Sequence, residues 1–183
     1  MITIISGTNR KHSYTYKIAR QYQQLLLQKG ITAGLLSLED LDVLHFSKEF
    51  ERIENEVLIP STHFIIISPE YNGSFPGVLK LLIDNSSSRE TWYHKKALLT
   101  GVATGRAGNL RGMDHLADVL NYIKITVHPN KLPISVVNRV VDSEGRITDD
   151  NTLKAVNNQL DEFIHWSGLA LTDAGNKQQT HNP

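Results

Sequence analysis

Ser68-Pro69-Glu70-Tyr71-Asn72-Gly73-Ser74-Phe75-Pro76-Gly77-Val78-Leu79-Lys80 lies between two runs of opposite character. Before it, Phe64-Ile65-Ile66-Ile67 is an unbroken apolar run rich in β-branched residues, which suits a strand buried on both faces. After it, Val78, Leu79, Leu82 and Ile83 recur at helical spacing, and Pro76 stands where a first helical turn tolerates proline. A buried strand ends, a loop carries an acid, an aromatic, an amide and two glycines, and a helix begins. In an open parallel sheet, ligands bind there, outside the carboxyl ends of the strands. A plain turn accounts for Gly73 and Pro76 but not for the whole string.

The same strand–loop–helix plan recurs on either side. Ile2 to Ile5 reads as a strand, and Ile18, Ala19, Tyr22, Leu25 and Leu26 mark one face of a helix that stops near Gly30. The loop between them, Ser6 to Thr15, is rich in hydroxyls and cations. Backbone N–H groups at a helix start and the positive end of its dipole favour an anion there. Arg10 adds a guanidinium fork, and Ser6, Thr8, Ser13 and Thr15 can each donate a hydroxyl. His12 is close enough to assist. Taken alone, this loop fits equally well a polar connection in which Ser13 is simply the helix N-cap. Thr32 to Ser37 reads as a second strand, and Phe50, Ile53 and Val57 as a short helix ended by Pro60. Glu39, Asp40 and Asp42 read as a solvated acidic connection. Ala97 to Ala103 is a fourth strand, followed by Thr104-Gly105-Arg106-Ala107-Gly108-Asn109 and a helix carrying Leu110, Met113, Leu116, Ala117, Leu120 and Ile123. These glycines form neither a dinucleotide fingerprint nor a P-loop, but they let backbone approach a flat ring. Ile125 to Val127 reads as a fifth strand. Ile134 to Val141, a turn at Ser143-Glu144-Gly145, and Arg146 to Thr148 read as a hairpin-like extension. Asp149 and Asp150 open a last helix with Leu153, Val156, Leu160, Phe163 and Ile164 on one face.

Five alternations of strand and helix argue for a doubly wound parallel sheet. The expectation is an α/β fold, a three-layer α/β/α sandwich around five strands. The order 2-1-3-4-5 would set the first and third strands side by side, bringing the loops of Arg10 and Tyr71 to one crevice. At 183 residues the chain suits one domain, placed at residues 1–172, with a polar and disordered tail over 173–183. Lysine plus arginine number 19, as do aspartate plus glutamate, so no global charge recruits nucleic acid or an anionic membrane. The absence of cysteine excludes disulfides, thiolate catalysis and cysteine-ligated metal centres. The eight histidines show no metal-ligand spacing, and no run approaches a membrane span. A soluble cytoplasmic protein is expected.

Pro69-Glu70-Tyr71-Asn72, Ser74, Pro76-Gly77 and Leu79-Lys80 closely resemble the ring-binding loop of the NADPH-dependent FMN reductase family, whose fold is flavodoxin-like. That family includes quinone, azo-dye and metal-oxyanion reductases. Its phosphate loop has the pattern Gly-Ser-x-Arg-x-x-Ser-x-Asn. Here Gly7, Arg10 and Ser13 match, Thr8 stands for the first serine, and Thr15 replaces the asparagine with a shorter donor. The resemblance implies bound FMN, held at its phosphate by Ser6, Thr8, Arg10, Ser13, Tyr14 and Thr15. Pro69, Glu70, Tyr71, Asn72, Gly73 and Ser74 would hold the ring, with Tyr71 walling the site. Thr104, Gly105 and Arg106 would meet the ring edge. NADPH (or NADH) would reduce the flavin, which would pass electrons to a small acceptor: a quinone, azo compound, metal oxyanion or free flavin. No protein acid or nucleophile is implied. The resemblance further implies a homodimer or homotetramer, with Asp84 and Arg89 at an interface. The alternatives are a flavodoxin-type electron carrier, which the neutral charge disfavours, and a flavin-binding regulatory module without turnover.

Overall fold

The computed structural model describes residues 1–169, and the expected tail lies outside them. Strands β1 (Ile2–Ser6), β2 (Ala33–Ser37), β3 (His63–Pro69), β4 (Lys96–Val102) and β5 (Thr126–Val127) form a parallel sheet in the order β2-β1-β3-β4-β5. Helices α1 (Tyr14–Gln28), α2 (Lys48–Ile53), α3 (Gly77–Asn85) and α4 (Leu110–Tyr122) follow β1 to β4 in turn. No helix among the described residues is long and apolar enough to cross a membrane.

The apolar runs in β1, β3 and β4 exist because helices cover both faces. Ile65 and Ile67 turn toward Ile18, Tyr22 and Leu26 of α1, while Phe64 and Ile66 turn toward Leu79 and Leu82 of α3 and Leu116 of α4. All are fully buried, each worth about 1.5–3 kcal/mol of hydrophobic stabilisation. Trp92, in a π-helical turn at Ser88–Trp92, packs on Phe64 with ring centroids 4.9 Å apart and donates its indole N–H to Ser86 Oγ. Lys95, below this layer, donates to the carbonyls of Leu58 and Ile59, and burial lowers its pKa to about 8.

Two expectations need correction. The fifth position of the sheet is divided: β5 pairs with Lys96–Ala97, and β6 (Leu132–Ile134) pairs with Thr100–Val102. Between these segments His128 N still donates to Ala97 O at 2.8 Å, but no ladder pair joins residues 128–131 to Leu98 or Leu99. Gln159 of α6 (Asp150–Ser167) repairs this gap, donating its amide to the Leu99 and Asn130 carbonyls while its Oε1 accepts from Tyr22 and Thr100. Burial raises the Tyr22 pKa, so this network stays neutral. The second correction concerns the expected hairpin over Ile134–Val141 and Arg146–Thr148. Ile134, Val137 and Val141 are buried at helical, not alternating, spacing, and a short helix α5 (Val137–Val140) forms. Only the Val141–Ile147 bridge and the turn from Asp142 to Arg146 remain of the hairpin.

Candidate flavin site

At the carboxyl end of β3, backbone pairing continues past the strand. Tyr71 N donates to Ser74 O at 2.8 Å, and Ser74 N returns to Tyr71 O at 3.2 Å. The two residues between them, Asn72 (φ 53°) and Gly73 (φ 79°), are both left-handed, as a two-residue hairpin of the primed type requires. Asn-Gly is the pair that tolerates this, so the amide and glycine first serve the backbone. Asn109 holds the base of the loop, donating its side-chain amide to the Ser68 and Pro69 carbonyls at 2.9 and 3.0 Å. Gly112 of α4 permits this: a Cβ there would lie 2.0 Å from Asn109 Oδ1 and 2.8 Å from the Ser74 carbonyl carbon.

The β1–α1 loop meets this hairpin. Thr8 Oγ1 and Tyr71 Oη are hydrogen-bonded at 2.5 Å, Arg10 N donates to the same Oγ1, and the Arg10 guanidinium lies 4.0 Å over the Tyr71 ring. Ser13 is the N-cap of α1, its hydroxyl accepting from Tyr16 N at 3.1 Å. That bond uses the oxygen and leaves the hydroxyl proton free to donate to a ligand. No acidic residue stands in the first turn of α1, so its positive end is uncompensated.

A cavity of about 460 Å³ opens between the loops, at the carboxyl ends of β1, β3 and β4. Arg10, Ser13, Tyr14 and Thr15 line one end, and Pro69, Glu70, Tyr71, Asn72 and Gly73 another wall, with Thr104 and Gly105 at the third loop. Four expected residues lie off its wall. Ser6 is wholly buried with its hydroxyl unpaired, and Thr8 spends its hydroxyl on Tyr71. Ser74 Oγ lies 3.1 Å from His115 Nδ1, and Arg106 is exposed outside the cavity. Lys11, Val102, Ala103 and Val137 line it unforeseen. Lys11 stands beside Arg10 in the same cationic loop, a signal that was available. Val137 reaches the wall only because α5 folds back over the third loop, which no local pattern announces. Asp84, expected at an interface, is paired with Lys80 on its own helix at 2.6 Å, and Arg89 is exposed.

These residues fit FMN. Arg10 and Lys11 are cations on the wall and Glu70 is its one acid, so a phosphate is favoured at the helix end and not beside the hairpin. Gly105 has no positive φ and nothing within 4 Å of where its Cβ would be, so neither strain nor packing requires a glycine there. A flat ring against that backbone would. Among the described residues no cluster of side chains can hold a metal ion.

A parallel sheet of this order with such a crevice at its first and third strands defines a flavodoxin-like protein. The family model described as NADPH-dependent FMN reductase matches residues 1–138, and the chain belongs to that family. An NAD(P)H-dependent FMN reductase of Pseudomonas aeruginosa is 30% identical over 174 residues, covering 88% of this chain and 92% of the relative. A 2-hydroxy-1,4-benzoquinone reductase of a Burkholderia species is 25% identical over 173 residues, 90% of this chain and 94% of that one. Among solved structures, the flavoenzyme NAD(P)H:(acceptor) oxidoreductase FerB from Paracoccus denitrificans superposes with a TM-score of 0.76 at 23% identity, over 91% of this chain and 96% of that one. A flavodoxin from the domain Archaea superposes with a TM-score of 0.63 at 11% identity, over 92% and 100% of the chains. These two likenesses concern the fold.

Proposed function

We infer that this protein is an NAD(P)H-dependent flavin oxidoreductase that holds FMN in the cavity and reduces a small acceptor of the quinone class. The observation that carries the reading is the meeting of two loops, one suited to phosphate and one to a ring edge, at a single crevice joined through Thr8, Tyr71 and Arg10. The bound flavin supplies the chemistry, accepting hydride and delivering electrons. The chain supplies position. Arg10, Lys11, Ser13 and Thr15 grip the phosphate at the start of α1, and the Asn72–Gly73 turn and Gly105 present backbone to the ring edge. Tyr71, Val102 and Val137 wall the ring and keep water from it. Relatives named for FMN and quinone reduction support the cofactor and the acceptor class. A homodimer in the cytoplasm completes the reading. It is supported by the family resemblance around Asp84 and Arg89, and sedimentation of the purified protein tests the assembly. The central test is a visible spectrum of purified protein supplied with FMN, repeated after anaerobic NADPH and again after a benzoquinone. Bleaching near the flavin band and its return on quinone addition are expected. A spectrum unmoved by NADPH overturns the reading.

A further inference from the structure

The cavity does not end the binding surface. Beyond the first turn of α1 lies a second groove of about 410 Å³, between that helix and the Asp142–Arg146 turn, lined by His12, Tyr16, Lys17, Arg20, Glu144 and Arg146 among others. The same two segments border both spaces. Arg10, Lys11, Ser13, Tyr14 and Thr15 line the cavity while His12, Tyr16 and Lys17 line the groove, and Val137 lines the cavity while Glu144 and Arg146 line the groove. The turn is fixed against α1. Gly145 (φ 90°) is buried where a Cβ would lie 2.8 Å from Lys17 Cβ, and Lys17 Nζ donates to Ser143 O at 2.8 Å. Asp142 accepts from Arg146 N and Nε, both at 2.8 Å, so it aims the guanidinium through its inner nitrogen. The two terminal nitrogens make no hydrogen bond among the described residues, and Arg20 has no ion pair there. On the far side of His12 and Tyr16 a third groove carries Glu39, Asp40 and Glu49. A phosphorylated ligand leaving the cavity past Tyr16 therefore meets cations on one side and carboxylates on the other.

We propose that the groove between α1 and the Asp142–Arg146 turn binds the phosphorylated adenosine end of the nicotinamide donor and favours NADPH over NADH. This rests on the function proposed above, because the nicotinamide end must lie in the flavin cavity. Arg20 and the terminal nitrogens of Arg146 take the 2′-phosphate, and Tyr16 offers a ring face to the adenine. The AMP half of FAD has related chemistry, and the experiment separates the two.

The test compares wild type with Arg20→Glu and with Arg20→Glu/Arg146→Ala. Lys154→Glu, exposed on α6 and outside both spaces, controls for net charge. The double variant should raise KM for NADPH at least tenfold, as the loss of charge-assisted contacts worth about 1.5–3 kcal/mol implies. KM for NADH and kcat at saturating NADPH should change less than about threefold, since a remote phosphate contributes uniform binding. Adenosine 2′,5′-bisphosphate, titrated calorimetrically into FMN-loaded protein, should lose affinity in parallel, in Arg20→Glu alone as well as in the double variant. Unchanged NADPH KM, or equal bisphosphate binding by all variants, overturns the proposal. So does a loss confined to FAD affinity. Failure of the underlying function is distinct: FMN then fails to be reduced by either nucleotide in wild type.

Discussion

Two helical glycines should respond to the same substitution in opposite directions. Gly112→Ala puts a methyl 2.0 Å from Asn109 Oδ1 and 2.8 Å from the Ser74 backbone, where ordinary contact begins at 3.4 Å. The backbone cannot rotate away, so Asn109 must move, and its bonds to Ser68 O and Pro69 O stretch or break. Losing them costs about 1 kcal/mol each, and overpacking adds about 1–3 kcal/mol. The better helix propensity of alanine returns about 1 kcal/mol. The net loss of about 2–4 kcal/mol should lower Tm by roughly 4–16 °C at this chain length. FMN affinity should fall about tenfold, because a displacement of about 1 Å at the hairpin is enough to misplace a ligand. Gly77→Ala, at the first position of α3 with nothing within 4 Å, should be neutral or raise Tm by about 1–2 °C. Thermal unfolding followed by circular dichroism, with and without FMN, and fluorescence titration of FMN measure both effects. If Gly112→Ala melts within about 1 °C of wild type and binds FMN unchanged, the close seating of α4 on the hairpin is wrong.

Arg10→Ala should weaken FMN binding by about one to two decades, from a contact worth about 1.5–3 kcal/mol, while turnover at saturating flavin holds; unchanged affinity in a fluorescence titration removes Arg10 from the phosphate site. Gly73→Val places a β-branched residue at φ 79° with its Cβ 3.1 Å from an Arg111 nitrogen. It should cost about 1–3 kcal/mol of strain and slow flavin reduction in stopped flow about a hundredfold, and reduction at the wild-type rate would take this turn away from the reaction face. Burial holds His63 and His128 below the usual imidazole pKa. The unfolded chain therefore takes up protons first as pH falls, and stability present above about pH 6.5 is lost on acidification. Urea midpoints at pH 7.5 and 5.5 check this, and His128→Gln should flatten the dependence; a midpoint that rises on acidification contradicts the burial assignment.

The sheet was legible because Phe64-Ile65-Ile66-Ile67 can be soluble only when covered on both faces, and the strand order was taken with the flavodoxin-like fold, which then brought the two loops together. The helix faces were legible for the same reason: Ile18, Ala19, Tyr22, Leu25 and Leu26 are all buried at their 3.6-residue spacing. Residues 125–148 were read less well. There Pro129 falls in the gap between β5 and β6, short segments carry too few periods, and the helical spacing of Ile134, Val137 and Val141 is hidden in a stretch rich in β-branched residues. The repair by Gln159, some thirty residues onward in α6, has no local trace. At the site, loop chemistry identified which segments converge, but not how each hydroxyl is spent. Thr8 turns its hydroxyl to Tyr71 and Ser6 turns inward, and both outcomes depend on tertiary neighbours.

The backbone itself separates the two ends of the sheet. Of the non-glycine residues with positive φ, His12, Asn72, Asn109 and Val136 stand at the carboxyl end, where the cavity lies. His94 and Lys124, at the other end, hold each other through a hydrogen bond from His94 N to Lys124 O. Val136, at φ 44°, is the costliest, since a β-branched residue in this region is disfavoured by about 1–3 kcal/mol. Its surroundings offset that. Val136 N donates to Gly105 O, Val137 N to Ala103 O, and Ser135 Oγ to Arg106 O, each worth about 1 kcal/mol net. The strained residue thereby ties α5 to the third loop and turns Val137, 1% exposed, into the cavity wall. A loop clamped in this way before any ligand arrives has less conformational freedom left to lose on binding. The cavity is thus shaped by the fold, and flavin need not organise it.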